Sequence, residues 1–198
     1  AGDELVLCDM AQLSPAPTGV TNSTAARVSG MPKGTSLKRP ASGLRATAAV
    51  LRAALVAGAA SRLCDVTTAY ASERVQFGKP IGRQQSLQQM LAVMAEDMIA
   101  CRIAAQLGAA HGLDVPLAAA ATAKITTSSA APRIAATAHA VHGAIGISEE
   151  YDLQLLTRRL HEWRMADGSE GYWSQVLGNQ RLNAAAASVD WVRECVFA

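Results

Sequence analysis

Aromatic side chains are scarce in this chain: 2 Phe, 3 Trp and 3 Tyr among 198 residues. That leaves too little bulk for a sandwich-type core and points to close helix–helix packing on small residues. An excess of one charge is also lacking. The net charge is +2 and the basic residues are dispersed, so there is no stripe for a phosphate backbone and no nucleic-acid partner is expected. The cysteines Cys8, Cys64, Cys101 and Cys195 form no CxxC pair, which excludes the usual thiolate metal and redox motifs and suits free thiols in a reducing compartment. The most apolar window, Ala46 to Ala60, holds Arg52 and is too short to span a bilayer. The N-terminus lacks a basic stretch followed by an apolar core. The expectation is a soluble, cytoplasmic chain with no membrane partner.

What the chain does have is apolar mass and alanine. Half of the residues are hydrophobic, enough for a real core. Composition changes once, near residue 40, dividing the chain into residues 1–40 and 41–198. In the first part, Glu4 to Cys8 and Ala26 to Gly30 read as short strands, with Pro15-Ala16-Pro17 and Thr18-Gly19 as turns. Two strands are marginal alone, so they are expected to complete a sheet supplied by absent sequence or another chain. Ala1 is not an initiator methionine, and a fragment, a processed chain or part of a longer protein is expected.

Beyond residue 40 the punctuation is helical. One helix is predicted over Leu44 to Glu73 and a second over Gln85 to His111, with Met90, Leu91, Met94, Met98 and Ile99 at helical spacing. A third, capped by Asp114 ahead of Pro116, runs to His142 with a bend near Pro132 and ends at Gly143. Glu150 to Met165 and Ser169 to Gly178 form shorter helices, and a tail carries Trp191. The fold class is mainly α: an up-and-down four-helix-type bundle with a short β remnant at its N-terminus.

Glu73 to Ile81, ERVQFGKPI, interrupts the alanine-rich pattern with chemically capable residues. Arg74 offers a charged fork, Gln76 both donates and accepts, and Phe77 presents an apolar face beside a turn-forming glycine. These residues suit either a ligand-facing corner or an ordinary interhelical loop. His139 and His142 lie three apart without a Glu-x-x-His partner, so no metal is expected. Lys124 and Arg133 are read as solvated or paired, and Arg158, Arg159 and Arg164 as a basic face.

Arg74 to Ile81, followed by Gln85, resembles the segment of acyl-CoA dehydrogenases that opens their C-terminal bundle. His142-Gly143-Ala144-Ile145-Gly146-Ile147 with Glu150-Tyr151 is similar to the family's glycine-rich segment. Trp163 to Trp173, with Gly168-Ser169-Glu170, resembles a subgroup's final active-site stretch. The resemblance covers about residues 40 to 183 as the C-terminal domain, and Leu5 to Gly30 as the end of the middle β-domain; the N-terminal helical domain has no counterpart.

By resemblance, the activity is FAD-dependent α,β-dehydrogenation of an acyl-CoA thioester, in which a carboxylate takes the α proton inside a water-poor pocket. That position is Asp167 here, and the alternative position on the first helix falls near Ala48. The family's usual residue is glutamate; aspartate is shorter by roughly 1.5 Å, a displacement that costs about 100-fold in rate. Asp167 and Glu170 also fit a capping box, Asp-x-x-Glu, and Glu170 is a second candidate base. The resemblance assigns FAD contacts to Arg74, Gln76 and Phe77, reaching across a dimer interface, to Gly143 and Gly146, and to Ser169, which is otherwise a helix cap. Ala140 stands where the family usually has glutamine and Ala144 where it has a second glycine. Electron-transfer flavoprotein is the implied acceptor, and a homo- or hetero-oligomer is assembled through bundle helices. Two other readings stay open: a non-catalytic flavin-binding or structural subunit of a heteromer, and a related flavoenzyme acting on a non-thioester such as a nitroalkane or an aromatic ring.

Overall fold

The computed structural model describes residues 5–19, 23, 25–30 and 33–197. Six helices dominate: α1 (Leu44–Glu73), α2 (Gln85–Ala109), α3 (Leu117–His142), α4 (Leu153–Met165), α5 (Glu170–Leu182) and α6 (Ser188–Cys195). Helix α3 is the axis of the bundle. It packs against α1, α2, α4 and α5, while α1 also meets α2 and α4.

Alanine explains this arrangement. In α1, Ala46, Ala49, Ala53, Val56, Ala60, Leu63 and Thr67 recur three or four residues apart and are buried; α3 buries Ala119, Ala120, Ala123, Ala130, Ala131, Ala135 and Ala138. Small side chains let helices approach closely, and Leu63, Met94, Ile134, Leu160 and Trp173 fill the remaining space. Truncating one of the leucines to alanine costs about 2–5 kcal/mol.

Several boundaries differ from the sequence expectation. Helix α2 ends at Ala109, and Met94 is buried while Ile99 faces outward. Asp114 does not cap α3; Pro116 is the N-cap, its carbonyl accepting from Ala120 N at 3.0 Å, and its missing N–H leaves no donor unsatisfied at the helix entry. Helix α3 continues as one helix across Pro132. Helix α4 starts at Leu153, after a turn in which Tyr151 N reaches Ser148 O. The expected tail is helix α6, because Trp191 gains burial beside Ala118 and Val196.

The N-terminal strand Glu4 to Cys8 is present as β1 (Leu5–Leu7); Glu4 lies outside the described residues. Pro15–Pro17, expected as a turn, is strand β2, paired with β3 (Ala26–Val28), and Thr35–Leu37 is an unanticipated β4 paired with β1. A proline lacks an N–H, yet the edge of a two-stranded ladder leaves half of its donors unused. The pairs remain separate two-stranded ribbons. Ser23 Oγ bonds Glu162 Oε1 and ties this segment to α4.

Helix α1, 30 residues long, is long and apolar enough to cross a membrane by length and composition, which corrects the shorter window read from sequence. Half of its most apolar window is buried inside the bundle.

Candidate functional site

Two regions collect the chemically capable residues. The first is a cleft of about 420 Å³ at the C-terminal ends of α1 and α3. Its outer wall is a hairpin of β5 (Val75–Gln76) and β6 (Lys79–Pro80), in register Val75 to Pro80 and Gln76 to Lys79. The two tip residues both have positive φ, 53° at Phe77 and 77° at Gly78, as a type I′ turn demands. Glycine tolerates this; phenylalanine does so at a cost of about 1–2 kcal/mol. The Phe77 ring is nonetheless 90% exposed. The hairpin is pinned at its base, where Ile81 N donates to Arg74 O at 2.8 Å and the Ile81 side chain is buried with Ala71 and Val141.

The facing wall is Ala140 to Ile145, so Arg74, Gln76, Phe77 and Gly143 line one cleft. The alanines at 140 and 144 line it too and leave that wall less polar than glutamine and glycine would. Gly146 does not line the cleft. It is buried beneath it, where an added Cβ would lie 2.9 Å from the His142 Cβ and 3.1 Å from Leu153 Cδ2, so its role is close packing.

Tyr70, which sequence reading passed over, stacks on His142 at 4.3 Å between centroids, and Tyr151 closes the cluster. The Ala138 carbonyl lies 2.8 Å from His142 Nδ1 and so fixes the proton there; Nε2 then faces the Tyr151 hydroxyl at 3.4 Å. Burial pulls the His142 pKa below its ordinary value, with the Ala138 carbonyl opposing and His139 adding to the fall. His139 turns instead to Thr157 Oγ1 at 3.0 Å, so the two rings do not converge. Among the described residues no cluster of three His, Cys, Asp or Glu side chains is present.

The second region is the loop between α4 and α5. Asp167 adopts φ 58° and Gly168 φ 103°. Asp tolerates the left-handed region better than most residues, while an added Cβ on Gly168 would sit 2.7 Å from Tyr172 Cδ1 and 2.8 Å from Trp173 Nε1. That indole donates to Asp167 O at 3.1 Å. The Asp167 carboxylate accepts from Arg52 Nε on α1 at 3.0 Å. Ala48 lies one turn before Arg52 on the same helix face.

The capping box does not form. Ser169 is the N-cap of α5, accepting from Tyr172 N at 3.5 Å, because Asp167 is turned toward Arg52. Glu170 pairs with Arg164, whose Nε lies 3.1 Å from both carboxylate oxygens. This guanidinium holds the Glu170 pKa below the usual carboxylate range, which makes Glu170 a poor proton acceptor. The basic face predicted for α4 is likewise absent: Arg159 pairs with Glu162 at 2.7 Å and Arg164 with Glu170. Arg133 pairs with Asp97 at 2.6 Å, but Lys124, read as solvated or paired, is completely buried.

Residues 45–180 match the acyl-CoA dehydrogenase C-terminal domain. This chain belongs to the acyl-CoA dehydrogenase family. Acyl-CoA dehydrogenase IpdE2 of Mycolicibacterium smegmatis is 35% identical over 160 residues, which cover 81% of this chain and 50% of that protein. A glutaryl-CoA dehydrogenase solved with glutaryl-CoA superposes with a TM-score of 0.65 at 29% identity, over 79% of this chain and 41% of that one. Butyryl-CoA dehydrogenase of Megasphaera elsdenii gives a TM-score of 0.65 at 29% identity, over 68% and 36%. The chain therefore spans half or less of the length of these acyl-CoA dehydrogenases.

Three residues of these regions were not assigned by reading the sequence: Tyr70, Arg52 and Lys124. Arg52 had a signal, being the one charge in the most apolar window. Lys124 had none, since a lysine on an alanine-rich helix looks the same whether it faces water or protein.

Proposed function

We propose that this chain supplies the C-terminal bundle of an FAD-dependent acyl-CoA dehydrogenase that introduces a double bond between the α and β carbons of an acyl-CoA thioester. The observation that carries this reading is the suspension of Asp167 in a left-handed loop conformation, fixed at its carbonyl by Trp173 and at its carboxylate by Arg52. Strain held in place by several contacts marks a functional position.

In this reading Asp167 takes the α proton. Arg52 engages Oδ2 and so fixes the direction of the carboxylate. Glu170, bound by Arg164 through both oxygens, stays out of the proton transfer. FAD supplies the hydride acceptor for the β hydrogen.

The cleft fits the adenine and pyrophosphate end of FAD. Arg74 provides a guanidinium for phosphate, Gln76 an amide, Phe77 an exposed ring and Gly143 a wall without a side chain. Arg52 and Arg74 stand 22 residues apart on or at the end of α1, about 33 Å along its axis. Such a distance supports an oligomer in which the hairpin of one subunit serves the flavin of another, the partner being identical or related. Gly146 supports the cleft by packing, and Ser169 serves the loop as the α5 cap. Electron-transfer flavoprotein is the proposed electron acceptor and the cytoplasm the proposed compartment.

A second reading, a non-catalytic subunit of a heteromer, is favoured by Ala48 and by the short Asp167 side chain already committed to Arg52. An anaerobic visible spectrum of the whole protein, with any co-encoded partner, before and after adding acyl-CoA thioesters, separates the two. Flavin bleaching that stops in Asp167→Asn supports dehydrogenation with Asp167 as base. Bleaching that persists in the variant moves the base elsewhere, and a flavin untouched by every thioester refutes the dehydrogenase.

A further inference from the structure

One buried cation takes no part in the chemistry above. Lys124 on α3 is completely buried, and its Nζ donates to Trp163 O at 2.5 Å, Arg164 O at 2.9 Å and Ser128 Oγ at 3.2 Å. An ammonium has three protons to give, so this set uses all of them. Two of the acceptors are backbone carbonyls in the last turn of α4, groups that a helix cannot satisfy internally. A positive charge there also complements the negative end of the helix dipole. Burial pulls the Lys124 pKa down to about 8, with Asp167 and Glu170 opposing the fall and Arg52 reinforcing it. Water serves most helix ends at no such cost, and the segment that leaves this helix end is Ala166-Asp167-Gly168.

We propose that Lys124 is a positioning residue for Asp167: by holding the final carbonyls of α4 it fixes the point and direction from which the loop departs, and so places the Asp167 carboxylate. The loop then hangs from three supports on three different helices, Lys124 of α3 at its root, Trp173 of α5 at the Asp167 carbonyl and Arg52 of α1 at the carboxylate. This assignment rests on Asp167 being the proton acceptor, while its geometric half is testable without any substrate.

The test is hydrogen exchange on the complete flavin-loaded protein with any partner, comparing loop residues 165–173, including the Trp173 indole N–H, with α1 and α2. Lys124→Met is expected to accelerate exchange in the loop by about tenfold or more and to leave α1 and α2 within about twofold. Lys124→Arg, which keeps a charge and donors, is expected to restore part of the protection. Unchanged loop exchange in Lys124→Met overturns the assignment, and so does uniform acceleration across all helices, which makes Lys124 a general fold residue. Should Lys124→Met not fold, Lys124→Gln keeps an amide donor but removes the charge and shortens the reach to the α4 carbonyls. Faster exchange confined to the loop then supports the assignment, and none overturns it. Asp167→Asn, followed by flavin bleaching with butyryl-CoA and glutaryl-CoA, separates the two claims. Persistent bleaching there removes Asp167 as base, while the exchange result still decides whether Lys124 places the loop.

Discussion

Arg52 and Asp167 lie 115 positions apart, yet Nε of the first donates to Oδ2 of the second at 3.0 Å. Both side chains are about one third exposed, so the pair is worth only about 0–1 kcal/mol to the fold. Its value lies in aim. Arg52→Met is expected to leave the melting temperature nearly unchanged and to slow flavin reduction by butyryl-CoA or glutaryl-CoA by about 10–100-fold, since displacement of a reacting group by about 1 Å has that effect. Stopped-flow absorbance and a thermal melt on the same sample check both halves. A lower melting temperature with unchanged reduction would assign the pair to stability alone.

Asp167 occupies φ 58°, which Asn and Gly accept and Ala resists. Asp167→Asn and Asp167→Gly are therefore expected to match or exceed the parent in stability, and Asp167→Ala to lose about 1 kcal/mol. All three are expected to abolish thioester-dependent bleaching. Denaturant unfolding alongside the spectrum checks this, and activity surviving in Asp167→Gly would exclude the carboxylate from the chemistry.

Lys124 and Cys101 give opposite alkaline signatures. The Lys124 pKa is lowered from 10.5 to about 8 by burial, so between those values the unfolded chain holds more protons and stability rises with pH. Cys101 is raised from 9.0 to about 12 by burial, with Asp97 adding to it; there the folded chain holds more protons, and stability falls as pH climbs past 9. Between pH 7.5 and 10 the Lys124 effect amounts to roughly 2–3 kcal/mol and the Cys101 effect, only one unit past its ordinary value, to roughly 1, so they partly cancel in the parent. Relative to the parent, the change in unfolding free energy from pH 7.5 to 10 is expected to shift toward loss in Lys124→Met and toward gain in Cys101→Ala. Identical slopes in all three proteins would contradict both assignments.

Phe77 sits where a type I′ turn favours Asn. Phe77→Asn is expected to stabilise the isolated chain by about 0.5–1 kcal/mol while weakening FAD retention or subunit association. Melting and flavin content after gel filtration report on these separately, and unchanged retention together with unchanged association would mean that the ring serves neither.

Much of this was legible in the sequence because it is local. Helix α1 ends at Glu73 as read, since the ERVQFGKP segment carries both the helix stop and the turn, and the same segment supplies the cleft wall. Apart from a few helix boundaries, the errors involve partners remote in the chain. Trp191 makes α6 a helix by packing beside Ala118, and no nearby residue announces that. Pro15 and Pro17 are turn residues by type, but β3 gives them an edge to occupy. Lys124 is identified only by the carbonyls of Trp163 and Arg164, and backbone groups are not written in side-chain letters. Asp167 fits both a base and a helix cap by its letters; Arg52, in contact with it but over a hundred residues away in sequence, draws its carboxylate aside.

The alanine contacts among α1, α2 and α3 have an evolutionary consequence. Ala49, Ala53, Ala60, Ala119, Ala131 and Ala138 have no accessible surface, and a side chain already that small has little left to remove. Substitution at these positions therefore has one available direction, growth, and each added methylene must push two backbones apart at about 1–3 kcal/mol. A core built from large residues drifts by exchanging volume between neighbours; this one has almost no volume to exchange. Its variability is displaced to the outer faces of the helices, where a bundle can acquire new partners without disturbing the spacing that holds its loop and its cleft in place.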